Sequence, residues 1–110
     1  MNHTEKQTFS ELEYLVMEIV SSEKHEYYQG EIFAMAGATV EHNRIATNTT
    51  GEIYSKLKAK NCNVFNSDMR VNIEANSLYT YPDITVVCGC LLYTSNLPRT
   101  ASRNTIKTNL

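Results

Sequence analysis

Three side chains stand where local sequence could turn them to chemistry: Asp83, Glu31 and His42. Asp83 closes the run Tyr81-Pro82-Asp83, which enters the apolar stretch Ile84-Thr85-Val86-Val87-Cys88. A carboxylate at the head of a strand is held by the ladder behind it. It could then ligate Mg²⁺ with its water shell and set the ion against a phosphate. Pro-Asp is also an ordinary turn, because Pro presets φ and Asp bonds its own backbone. Glu31 follows the turn pair Gln29-Gly30 and opens an apolar segment, which makes it either a cleft carboxylate or an exposed hairpin residue. His42 falls in the opening turn of a helical stretch, where an imidazole can serve as base or phosphate contact, or simply face solvent.

Other groups say less. Asp68 and Arg70 form either a site pair or a near-neighbour surface ion pair. Lys56, Lys58 and Lys60 gather where a helix ends, a position that favours cations and could also hold a phosphate. His3 and His25 have no patterned partners.

The elements that must position these groups follow from periodicity. Thr8 or Ser10 can cap a first helix with Glu11 and Glu13 in its opening turn and an apolar face of Leu12, Leu15, Val16, Ile19 and Val20. Residues 25–28 and 31–37, on either side of Gln29-Gly30, read as a hairpin or as two short strands. Thr39 caps a second helix over 40–60, in which Ile45, Thr49, Ile53 and Leu57 repeat every four residues; Gly51 weakens it by up to ~1 kcal/mol relative to Ala. Short strands are expected at 62–65, 69–74 and 83–88. The alternation of 70–74 predicts one wet face, whereas the more uniformly apolar 84–88 predicts the central strand. Residues 76–82 read as a tyrosine-bearing loop. The class is α/β, with two helices on a mixed α+β sheet.

A chain of 110 residues has room for one domain, and 42% hydrophobic with 20% charged residues is the make-up of a globular protein. At this size about two-thirds of the unfolded surface is buried. The net charge of −2 is unevenly spread. Residues 1–89 hold all 12 acids against 7 bases, and residues 90–110 hold Arg99, Arg103 and Lys107 with no acid. An acidic 1–89 lacks the basic footprint of a strong autonomous nucleic-acid binder. The last 21 residues, nine of them Ser, Thr or Asn, show no apolar period, so 90–110 is expected to be a disordered tail outside the fold. Three cysteines, Cys62, Cys88 and Cys90, suit a reducing compartment better than a disulfide framework, and no zinc spacing is present. With neither a signal-peptide pattern nor a membrane-length apolar run, the expectation is cytoplasmic.

Four blocks, Lys24-His25-Glu26-Tyr27-Tyr28-Gln29-Gly30-Glu31-Ile32-Phe33-Ala34-Met35-Ala36-Gly37, Glu41-His42-Asn43, Val64-Phe65-Asn66-Ser67-Asp68-Met69-Arg70-Val71 and Tyr81-Pro82-Asp83-Ile84-Thr85-Val86-Val87-Cys88-Gly89, closely resemble the Uma-type family of restriction endonucleases in the PD-(D/E)XK nuclease superfamily. The resemblance runs unbroken over roughly residues 8–89. It implies a restriction-endonuclease-like fold and Mg²⁺-dependent hydrolysis of DNA. Asp83 would be the metal ligand, Glu31 the acid of the Gly-Glu turn, and His42 the histidine opening the next helix. The family pattern continues with a strand bearing Glu and then a Lys. No Glu follows Gly89 here, and Lys107 lacks that setting. The resemblance therefore implies the N-terminal part of such a nuclease, in truncated or frame-shifted form, with weak or absent metal binding. A non-catalytic relic or protein-interaction fragment is the alternative. Loss of the Glu-bearing strand would leave an open sheet edge beside 83–88, available for self-association.

Overall fold

The computed structural model describes residues 7–89 and 105–108. Helix α1 (Glu11–Val20) starts at Ser10, whose hydroxyl accepts from Glu13 N–H while the Glu13 carboxylate accepts from Ser10 N–H, a reciprocal capping box. The side chains it buries are Tyr14 and Leu15, whereas Leu12, Val16, Ile19 and Val20 of the expected apolar face are exposed. The packed face is thus centred on a tyrosine that the apolar count passed over.

Strands β1 (His25–Tyr28) and β2 (Glu31–Ala34) form the expected hairpin, with Tyr28 opposite Glu31. Its two-residue turn places Gln29 at φ 46° and Gly30 at φ 92°. Positive φ at both positions matches the right-handed twist of the flanking strands, and glycine enters that region without steric cost.

Helix α2 (Val40–Leu57) is capped by Thr39, whose hydroxyl accepts from His42 N–H at 3.0 Å. Its half-buried face is Ala46, Thr50, Ile53 and Leu57, while Ile45 and Thr49 are exposed. A strict four-residue repeat drifts around a helix of 3.6 residues per turn, and mixed steps of four and three stay on one side. That geometry corrects the face read from Ile45 and Thr49.

Strands β3 (Cys62–Phe65), β4 (Arg70–Ile73), β5 (Leu78–Thr80), β6 (Thr85–Cys88) and β7 (Thr105–Thr108) complete the fold. A five-stranded mixed sheet runs β2-β1-β5-β4-β7, with only β4–β7 parallel, and β3 pairs with β6 in a separate two-stranded sheet. Three expectations change. Residues 78–80 are a strand inside the expected loop, because Tyr79 fills the core. The predicted wet strand β4 is buried at Arg70, Val71 and Asn72, its polar side chains satisfied internally: Arg70 donates to Thr105 Oγ1 and Tyr81 OH, and Asn72 donates to Leu78 O. Conversely β6, read as central, has β3 as its one strand partner among the described residues and exposes Val86.

The expectation that nothing beyond Gly89 joins the fold is corrected at four residues. β7 buries Thr105 and Ile106 beside β4, and Lys107 Nζ meets Glu74 Oε2 at 2.6 Å. What holds the strand is its parallel ladder with β4, the burial of Ile106 and the bond from Arg70 to Thr105 Oγ1. The rest of the 90–110 segment lies outside the described residues. Cys62 and Cys88, opposite each other in the β3–β6 register, form a disulfide, against the expectation of free thiols.

The core is built on tyrosines. Rings of Tyr14, Tyr27 and Tyr79 lie 5.2 to 6.0 Å apart in tilted and edge contacts, each adding to area burial. Their hydroxyls are tied off: Tyr14 donates to His25 O, Tyr27 to Phe9 O and Tyr79 to Glu11 Oε1. Burial, ahead of neighbouring negative charge, holds the Tyr14 and Tyr79 phenols well above their ordinary pKa, so they remain neutral donors. Among the described residues no helix is long and apolar enough to cross a membrane.

Candidate active site

Asp83 lies two residues before β6, in the link that carries the chain from the large sheet to the small one, rather than on the strand as expected. Pro82 and the buried Tyr81 anchor that link from behind. Tyr81 donates to Glu18 Oε2 at 2.6 Å and accepts from Arg70 at 3.2 Å. Glu18 also accepts from His25 N–H, and His25 Nδ1 lies 2.8 Å from its other oxygen. A carboxylate facing three donors is well satisfied at a buried position. Burial and the bond to Glu18 raise the Tyr81 pKa, keeping the hydroxyl protonated and able to donate.

From this anchor Asp83 reaches the first turn of α2, where its Oδ2 lies 3.3 Å from His42 Nε2. Both side chains are about half exposed or more, at 48% for His42 and 63% for Asp83, so the pair adds little to stability. Its importance is geometric, because the pair sits in a cleft of about 700 Å³ between α2, the segment after β2 and the turn at Ser67. Lys24 lines the same cleft, its Nζ donating to Ser67 O at 3.0 Å and to Asp68 Oδ1 at 3.2 Å, and standing 5.4 Å over the Tyr81 ring. Three anchors hold a flexible lysine in one place.

Two of the three sequence candidates therefore meet, and the third does not. Glu31 sits at the turn end of the β1–β2 hairpin, where Phe9 N–H bonds Gly30 O, while the cleft opens at the other end, beside Lys24 and Met35. Four residues of strand separate those ends by about 10 Å. Asp68 pairs with Lys24 and Arg70 turns inward, so the expected Asp68–Arg70 surface pair is replaced by one with each partner engaged elsewhere. Lys24 was missed. Its signal was its place just ahead of β1, two residues from the Glu26 strand position, which no periodicity marks.

No group of three or more His, Cys, Asp or Glu side chains suited to a metal occurs among the described residues. Mg²⁺ keeps several waters and takes one or two carboxylates plus substrate phosphate, so Asp83 alone fits a weak, water-rich site.

Residues 11–107 match the Uma2 family, described as "Putative restriction endonuclease". The chain belongs to this family. The match passes Gly89, the end of the resemblance in sequence, and takes in β7. Two uncharacterized proteins of Synechocystis sp. share 37% identity with the Uma2 chain, over 76 and 84 residues, covering 69% and 76% of it and 40% and 48% of themselves. A crystal structure titled as "a putative nuclease belonging to DUF820", from Anabaena variabilis, superposes with a TM-score of 0.56 at 23% identity, over 68% of this chain and 42% of that one. That likeness shows the fold, two helices with a mixed sheet. This Uma2 chain spans under half the length of each of these proteins.

Proposed function

We propose that the His42–Asp83 cleft binds a phosphodiester of DNA, as the phosphate-binding part of a Mg²⁺-dependent endonuclease of the Uma2 type. The observation that carries this reading is the 3.3 Å approach of His42 Nε2 to Asp83 Oδ2 in a cleft that also holds the anchored Lys24. A cation, an imidazole and a carboxylate facing one space are the groups that phosphoryl chemistry uses. Lys24 and His42 would contact phosphate oxygens, and Asp83 would hold the ion. A bound Mg²⁺ would offset phosphate charge and make water a better nucleophile. Glu31, outside the cleft, takes no direct part in this reading.

Asp83 is the carboxylate of this cleft that meets the imidazole, and Glu23 also lines it. Full activity in this chemistry needs a set of ligands that completes the metal site, and no group of three or more His, Cys, Asp or Glu suited to a metal occurs among the described residues. The chain alone is therefore inferred to be non-catalytic while keeping the phosphate cleft, which supports the alternative of a binding or interaction module. Incubating the purified chain with plasmid and Mg²⁺ or Mn²⁺ tests this. No metal-dependent nicking is expected; nicking that disappears in Asp83→Ala would show that one carboxylate suffices. The outer edge of β6, without a strand partner among the described residues, supports self-association, read out by sedimentation.

A further inference from the structure

A second cleft, of about 570 Å³, continues the first along α2 and shares Asn43, Ala46, Ser67 and Asp83 with it. Its character is different. Beyond the shared mouth it is walled by Thr47, Thr50, Gly51 and Tyr54 on the helix and by Val64, Asn66 and Asp68 opposite, the last already paired with Lys24, and among the described residues no cation lines it. Phosphate has nothing to pair with there, whereas Lys24 and His42 stand in the neighbouring cleft.

Two residues point to what the second cleft takes. Tyr54, 59% exposed, lines this cleft, whereas the core tyrosines Tyr14, Tyr27 and Tyr79 are buried. Gly51 stands in the interior of α2, where glycine is the least favourable residue after proline. Packing gives no reason for it: a Cβ at Gly51 would meet no described atom within 4 Å. What the glycine does is keep the cleft floor open next to the tyrosine ring. Asn66 adds a polar edge. Its Oδ1 accepts from Asp68 N–H, so its amide NH₂ is the end it can offer a ligand.

We propose that this second cleft is a nucleobase subsite, which receives one unstacked base on the Tyr54 ring while the adjoining phosphate lies between Lys24 and His42. The proposal rests on the phosphate-binding reading above and names its substrate class, a single-stranded or locally unpaired nucleic acid. A base in a duplex is stacked on both faces and offers no free face to an aromatic ring. An exposed aromatic ring next to a cleft that offers a lysine and an imidazole to the backbone is an arrangement by which bases are held without sequence readout.

The test is fluorescence anisotropy of a short labelled oligonucleotide, single-stranded or duplex, with the full chain at fixed ionic strength. Wild type is expected to prefer the single strand. Tyr54→Ala should weaken single-strand binding about tenfold and Tyr54→Phe should preserve it. Gly51→Leu, which favours the helix while filling the cleft, should lose the preference with circular dichroism and thermal midpoint intact or improved. Undiminished single-strand binding by Gly51→Leu and Tyr54→Ala, still sensitive to His42→Ala, would overturn the base subsite and leave the phosphate cleft standing. Preference for duplex would also overturn the subsite. Absence of binding by wild type to either form would overturn the phosphate reading and the subsite with it.

Discussion

Tyr81 donates its hydroxyl proton to Glu18 across 63 residues of sequence, at 2.6 Å, and two residues further on Asp83 emerges into the cleft. The position of the candidate site is thus set from the core. Glu18 on α1, His25 on β1, Arg70 on β4 and Tyr81 form one buried network, and Thr105 of β7 joins it through Arg70.

Removing the Tyr81 hydroxyl therefore tests the link from core to cleft. Tyr81→Phe leaves Glu18 without one donor and Arg70 without one acceptor, at a cost of about 1–3 kcal/mol. A lowered urea midpoint with unchanged slope is expected. An unchanged midpoint would show that water replaces the hydroxyl and that the network does not hold the link.

The Cys62–Cys88 bond ties β3 to β6, the sheet on which α2 rests. It closes a loop spanning a sequence separation of 26, which corresponds to about 3.5 kcal/mol in the chain-entropy account. Reduction, or Cys62→Ser with Cys88→Ser, should lower stability by about that amount. Equal midpoints with and without reductant would mean that strand pairing alone holds the small sheet.

Stability should also fall at alkaline pH. Tyr14, Tyr79 and Tyr81 have folded pKa values raised above the model-compound 10.0, chiefly by burial. A raised folded value means that the contribution is fully present below about pH 10, where tyrosines in both states are neutral. Above it the unfolded chain ionises first and stability declines. Urea midpoints across that range check the sign, and a midpoint that stays level well above pH 10 would contradict the tyrosine core.

Gly51→Ala separates helix propensity from cleft packing. With open space around the position, α2 should gain about 0.5–1 kcal/mol. A loss of stability would show that the helix packs more closely there than the structure describes.

Much of this was legible in the sequence, and the failures have physical causes. Caps and turns read correctly because Ser10, Thr39 and Gln29-Gly30 act through their own backbone. The helix faces did not, since Tyr14 carries a polar atom yet buries completely once its hydroxyl finds His25 O. β4 looked half wet because Arg70 and Asn72 are polar. Their burial depends on partners 35 residues away and on the next strand, which no local pattern encodes. His42 and Asp83 were chosen for their places at element starts, and they meet. Glu31 had the same credential but stands at the wrong end of a hairpin whose direction only the assembled sheet defines.

Whether Asp83 holds a metal ion in the cleft is decided by oligonucleotide affinity with and without Mg²⁺, ionic strength held constant, for wild type and Asp83→Asn. Without Mg²⁺ the substitution removes a negative charge from a phosphate cleft, so binding should be unchanged or tighter. With Mg²⁺ wild type should tighten severalfold and Asp83→Asn should not. An equal response of both proteins to Mg²⁺ would contradict the central claim that Asp83 holds the ion against the phosphate.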